Sequence, residues 1–220
     1  MDKLKVLVID SKDRICISIN QILSENPAFE LIEYGPSSDP LVVIDDNSPD
    51  IVLMSTQRKQ NWLELTRHIV RYYPNTKVIL VSPSTNDEHI FGIIKTGAVA
   101  CINTNNIVSE LIDTMMLANQ GKYPINEAII NSMQLAGLVL MHFHETEYLV
   151  KMGDEIVTPL NKQETQVLSY IAEGKTKKEI ASLLQISEQN IEKHISAILR
   201  KMNANDRVLE MFKATSRVVL

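Results

Sequence analysis

The run Leu4-Lys-Val-Leu-Val-Ile9 closes on four apolar residues in succession, and its reading decides the fold. A strand with one wet face alternates apolar and polar side chains. An unbroken run suits a strand covered on both faces, as in a parallel sheet. Val78-Ile-Leu-Val81 has the same character, and Phe29-Glu-Leu-Ile-Glu-Tyr34, Ile51-Val-Leu-Met54 and Val99-Ala-Cys-Ile102 complete a set of five strands. Helix-like segments lie between them, including Asp13–Ser24, Trp62–Tyr72, Asp87–Lys95 and Ile107–Asn119. In the last, Ile107, Leu111, Met115 and Ala118 recur at helical spacing, while Pro74 and Gly97 stop the segments ahead of them. Strands and helices in this alternation predict an α/β fold: a doubly wound five-stranded parallel sheet with helices on both faces.

Gly121 and Pro124 end that pattern. Residues 125–144 follow, with Ile129, Met133, Ala136, Leu140 and Phe143 roughly on one helical face. Such a stretch is too apolar for a tether and predicts a helix packed on its own domain or on a second copy. From Pro159 onward the chain reads as all-helical. Asn161-Lys-Gln-Glu164 and Thr176-Lys-Lys-Glu179 fit the capping-box pattern, Ser187 caps a further helix, and Asn203 or Asn205 opens a fourth. Gly174 falls just past the first of these helices, where a left-handed residue belongs. The expected organisation is a sheet domain over 1–121, a linker over 122–156 with its helix at 125–144, and a four-helix domain over 157–220.

With 220 residues, 45% hydrophobic and 22% charged, the composition excludes a disordered or fibrous chain. No apolar run approaches the ~18 residues a membrane-spanning helix needs. The apolar run at the N-terminus is too short for a signal peptide, so the expectation is a cytoplasmic protein without a membrane partner. Cys16 and Cys101 cannot build a disulfide framework or a zinc finger. Residues 1–156 hold 12 Lys and Arg against 20 Asp and Glu, a net of −8; residues 157–220 hold 10 against 7, a net of +3. Only the C-terminal part is suited to approach a polyanion.

Within that part, Thr176–Met202 reads as two helices separated by a turn at Gln185–Ser187. Ile191, Ile195, Ile198 and Met202 point inward in the second helix, leaving Gln189, Asn190, Glu192, Lys193, Ser196 and Arg200 on the opposite face. Donors and acceptors near the start of an exposed helix are what reading the major groove requires. Thr176, Lys177, Lys178 and Lys201, with the helix N-termini, are placed to meet phosphates.

Residues 159–217 resemble the LuxR/NarL-type helix-turn-helix domain. The matching residues are Pro159-Leu160, Glu164, Val167-Leu168, Ala172-Glu-Gly174, Lys178-Glu-Ile-Ala181, Ile186-Ser-Glu188, His194-Ile195, Ile198-Leu-Arg-Lys201 and Asp206-Arg207. The resemblance makes Thr176–Gln185 the scaffold helix and Ser187–Asn203 the recognition helix, and implies double-stranded DNA as a partner. Asn190-Ile191-Glu192 stands where that family usually has Thr-Val-Lys, and Gln163 where it often has Arg. A Glu on the groove face replaces a cation with an acceptor suited to cytosine N4.

Residues 4–119 resemble the receiver domain of two-component response regulators, on Ile9-Asp10, Pro49-Asp-Ile-Val-Leu-Met54 and Gly97-Ala98. That family's phosphoryl chemistry uses two acids after the first strand, an acceptor Asp after the third, a hydroxyl after the fourth and a Lys after the fifth. By that resemblance the corresponding residues here are Asp10 and Ser11, Ser55, Ser82 and Thr104. The acceptor, one acid and the Lys are replaced. A Ser hydroxyl without a base is a weak nucleophile, and one carboxylate holds magnesium poorly.

The expectation is a sequence-specific transcriptional regulator that works without phosphorylation. It is expected to act as a homodimer, with RNA polymerase or another regulatory protein as a further partner. The alternative is a protein-interaction adaptor or a ligand-switched regulator with little or no DNA binding. No phosphate loop, zinc-ligand spacing or Ser/His/Asp constellation points to an enzyme, a cofactor or a metal. His142-Phe-His144 with Glu145 and Glu147 is read as solvated surface, because histidines two apart on a helix diverge. Trp62 and the nine Met residues are read as packing groups.

Overall fold

Strand β1 (Leu4–Ile9) pairs in parallel with β2 (Phe29–Ile32) on one side and β3 (Ile51–Ser55) on the other. β4 (Lys77–Ser82) pairs with β3 and with β5 (Ala100–Asn103), giving the order β2-β1-β3-β4-β5, all parallel. The register sets Val6 opposite Ile51 and Ile51 opposite Lys77. The computed structural model describes residues 3–9, 14–35, 38–57, 61–151 and 157–216.

One face of the sheet, through Val6, Val8, Leu53, Ile79 and Val81, packs on α1 (Arg14–Ser24) and α5 (Ile107–Asn119) by way of Cys16, Ile19, Leu23, Leu111 and Met115. The alternate positions Leu7, Ile9, Val52, Met54 and Leu80 are buried as well. Coverage on both faces is why these strands carry no polar alternation. Helices α3 (Trp62–Tyr72) and α4 (Asp87–Ile94) fall where periodicity expects them.

Helix α2 (Pro40–Asn47) has no counterpart in the sequence reading. Its Leu-Val-Val-Ile run buries only Ile44, so no apolar stripe marks it; its ends define it instead. Asp39 accepts a hydrogen bond from the Leu41 N–H, Pro40 takes the first turn, and Ser48 closes the helix in the left-handed region at φ 48°.

The chain divides into two compact units, Met1–His89 with Thr96–Ile125, and Ile90–Lys95 with Asn126–Leu220. The second holds α6 (Asn126–Ile130), α7 (Met133–Lys151), α8 (Lys162–Ala172), α9 (Lys177–Leu184) and α10 (Glu188–Ser216). The stretch expected as one helix over 125–144 breaks at Asn131–Ser132, where the Ser132 hydroxyl accepts from the Leu135 N–H and starts α7 afresh. The break shifts the helical phase. Leu135, Ala136, Val139 and Phe143 form the buried seam, and Met133, expected inside, is exposed. α7 packs on α8.

Two further expectations are corrected in this unit. His142, expected on solvated surface, is half-buried and partnered: its Nε2 lies 2.7 Å from Asp206 Oδ1, and its ring sits edge-on to Phe91. No separate last helix opens at Asn203 or Asn205, because α10 runs through both. Asn205 instead uses its carboxamide to hold the segment entering α8, accepting from the Thr158 N–H at 2.9 Å and donating to the Thr158 carbonyl at 3.1 Å.

Candidate nucleic-acid interface

Helix α8 opens with a reciprocal cap: Asn161 Oδ1 accepts from the Glu164 N–H at 2.9 Å, and Glu164 Oε2 accepts from the Asn161 N–H at 2.7 Å. That same carboxylate, only 2% exposed, accepts from Lys201 Nζ at 2.6 Å. The helix ends at Gly174, φ 79°, with the Gly174 N–H on the Ile171 carbonyl and the Lys175 N–H on the Tyr170 carbonyl. This left-handed closure turns the chain sharply into α9.

Thr176 and Glu179 cap α9 in the same reciprocal way. The Thr176 backbone N–H and hydroxyl, both donating to the Glu179 carboxylate, hold its carboxyl below the usual range. Gln185, at φ 54°, closes α9, and the Ser187 hydroxyl accepts from the Asn190 N–H at the start of α10. The hinge of the helix-turn-helix is thus written in caps. Ile180, Ile191, Ile195, Ile198 and Met202 meet Val167, Leu168 and Ile171 in a dry core, all 0–2% exposed.

The opposite face of α10 is where the sequence reading puts the DNA contacts. Gln189, Lys193 and Arg200 are exposed there, as are Thr176 and Lys178 on α9. Asn190, Glu192 and Ser196 are half-buried. Lys201 turns inward to Glu164 and the Pro159 carbonyl, where the sequence reading gives it a phosphate. Glu192 pairs with Lys177, whose ammonium also lies 3.4 Å from Glu127 on α6. Burial alone lowers the Lys177 pKa, and the carboxylates of Glu192 and Glu127 outweigh it and raise it. Asn126 Nδ2 donates to Ser196 Oγ at 2.7 Å and to the Glu192 carbonyl at 3.3 Å. Sequence reasoning missed Asn126 and Glu127, which carry no periodic or motif signal.

In the sheet unit, Ser55 and Ser82 stand at the C-terminal ends of neighbouring strands, 2% and 0% exposed. The Ser55 hydroxyl accepts from the Gln57 N–H at 3.2 Å. Ser82 Oγ lies 2.8 Å from His89 Nε2 and accepts from the Ser84 N–H at 3.1 Å. The His89 ring is 5.8 Å from that of Trp62, and burial lowers its pKa. Thr104, half-buried, opens a 3-10 turn after β5 whose other two residues, Asn105 and Asn106, are exposed. Asp10 and Ser11 lie outside the described residues. Among the described residues, no three His, Cys, Asp or Glu side chains are grouped to hold a metal ion. His89 was missed because nothing in the sequence marks a contact seven residues beyond Ser82.

The described chain is thus a five-stranded parallel sheet with helices, followed by a helical unit that carries a capped helix-turn-helix. Residues 158–214 match the family described as "Bacterial regulatory proteins, luxR family", so this segment is a helix-turn-helix domain of that type. The chain is homologous to transcriptional regulators of the response-regulator class. It is 27% identical over 213 residues to the transcriptional regulatory protein DegU of Brevibacillus brevis, covering 94% of this chain and 90% of DegU. It is 27% identical over 208 residues to the transcriptional regulatory protein LiaR of Bacillus subtilis, covering 93% of each. The fold is shared with the response regulator RcsB in its DNA complex, at a TM-score of 0.50, 15% identity and coverage of 92% and 93%. No described helix is long and apolar enough to cross a membrane.

Proposed function

We propose that this chain is a sequence-specific DNA-binding transcriptional regulator, reading the major groove with the N-terminal half of α10. The observation that carries the reading is the two-sidedness of that helix. Ile191, Ile195 and Ile198 are wholly buried, while Gln189, Lys193 and Arg200 stand exposed on the other side. In this reading Gln189, Asn190, Glu192, Lys193, Ser196 and Arg200 face base edges. Thr176, Lys177 and Lys178 meet phosphates, and Lys201 acts by fixing Glu164. The relatives' names as transcriptional regulatory proteins support it.

We further infer that the regulator works without aspartyl phosphorylation. Ser55 takes the acceptor position, and its hydroxyl is buried and engaged by the Gln57 N–H. With Thr104 at the Lys position, a transferring phosphoryl group lacks its compensating cation. The residues present do not fit a magnesium ion, since Asp10 alone remains of three acids. A homodimer would set two copies of α10 at half-sites about one helical turn apart. RNA polymerase or another regulatory protein is the further partner. The adaptor reading draws on Glu192, which replaces a cation on the groove face.

Binding-site selection from random DNA, followed by fluorescence anisotropy across a salt series, tests the proposal. A regulator retains one sequence and loses affinity steeply with salt. Absence of specific and non-specific duplex binding at low salt leaves the adaptor.

A further inference from the structure

Helix α7 has two apolar sides. Leu135, Ala136, Val139 and Phe143 form the buried seam, and the other side carries Met133 at 59% exposure, half-buried Gly137, and Met141 at 57%. Spaced by four and four, these three lie along one stripe of the helix. We propose that this stripe is where two copies of the chain meet, Gly137 crossing Gly137 and Met133 of each copy packing beside Met141 of the other. The proposal rests on the homodimer of the reading above and names its surface.

A glycine in the body of a helix is less stable there than an alanine, because it gives up more freedom on folding. Gly174 is needed for its positive φ. Gly137 has no such need: it sits within α7, and beyond its own turn of helix a Cβ built there meets no heavy atom within 4 Å. What it serves comes from outside. Lacking a Cβ, two helices can cross more closely than the usual separation of about 8–10 Å. The unbranched thioethers on either side adapt their shape to fill the space beside such a crossing.

The occupant is a second copy. Met133 and Met141 stand at equal distances either side of Gly137, which suits an isologous contact about a twofold axis. Charge agrees with this. The chain carries a net −5, yet residues 128–143 hold no Lys, Arg, Asp or Glu, so copies join here without bringing like charges together. Size points the same way. From Met133 to Met141 the helix rises about 12 Å and is about 10 Å across, a patch far below the about 800 Å² that each partner buries in a standard interface. It is too small to retain a free partner. It suffices for two copies already held at neighbouring half-sites, where their contact is effectively intramolecular.

The test uses the full chain and duplexes bearing one or two half-sites found by selection from random DNA. Gly137→Glu sets two carboxylates at the crossing while supplying a better helix former, so its urea midpoint should equal or exceed that of the wild type. Its affinity for the single half-site should stay within about twofold, while the wild type's cooperative gain on the double site, about tenfold or more, is lost. Gly137→Cys, oxidised on the double site, should give a disulfide-linked dimer, whereas Val108→Cys, at a position 77% exposed on α5, should not. A duplex-binding wild type without that gain overturns the interface while DNA reading stands. So does a Gly137→Glu form that keeps the gain, or linkage at 108 and not at 137. If no form binds duplex, the functional reading falls, and oxidation of concentrated free Gly137→Cys decides the interface by itself: a linked dimer upholds it and a monomer overturns it.

Discussion

His89 shows how a single titratable group ties local packing to solution behaviour. Its Nε2 meets the buried Ser82 hydroxyl, and burial lowers its pKa from the ordinary 6.5. The unfolded chain therefore takes up this proton more readily than the folded one. The His89 contribution to stability is intact above pH 6.5 and is lost as pH falls through the lower, folded value. Urea midpoints read by Trp62 fluorescence should fall between pH 7 and pH 5, and fall less in His89→Gln. Equal losses in the two proteins count against this account. Residues at this scale were legible where chemistry is local, as in the Asn161 and Thr176 caps. They were illegible where partners lie far apart in the chain: Asn126 and Ser196 are separated by 70 positions, and no sequence period spans that distance.

At the scale of elements, end chemistry decides as much as periodicity. Gly174, at φ 79°, lets α8 turn into α9, and a Cβ placed there would come within 2.7 Å of Met133 Sδ. The thioether is the end of a flexible side chain and can yield, whereas the backbone strain stays. Gly174→Ala is expected to cost about 1–2 kcal/mol, the penalty of an L-residue in the left-handed region. Its urea midpoint against wild type measures this, and no change would show that the turn relaxes without strain. The unbroken apolar runs of β1 and β4 were legible because burial on both faces writes itself into consecutive residues. α2 was not, since it buries Ile44 alone and depends on Asp39, Pro40 and Ser48. The phase of α7 was misjudged because two polar residues, Asn131 and Ser132, restart the helix.

For the whole molecule, the sheet and the helix-turn-helix were legible separately, each from its own pattern. Residues 126–151, expected to carry a helix packed on its own domain or on a second copy, cluster with the helix-turn-helix, and which of those packings holds carries no periodic signal. The proposed loss of the phosphoryl centre makes a prediction about the intact chain. Incubation with acetyl phosphate and magnesium should leave its mass unchanged, and a labile phosphate adduct would refute phosphorylation independence.

The length of α10 carries a warning for anyone mapping this surface by mutation. At 29 residues it extends about 44 Å, a single rod with Gln189 near one end and the Thr158 and His142 anchors at Asn205 and Asp206 well along it. Loosening an anchor tilts the rod and misplaces its tip. Substitutions at 205 or 206 will therefore mimic lost base contacts although neither residue nears a nucleotide, and footprinting rather than affinity must separate grip from aim.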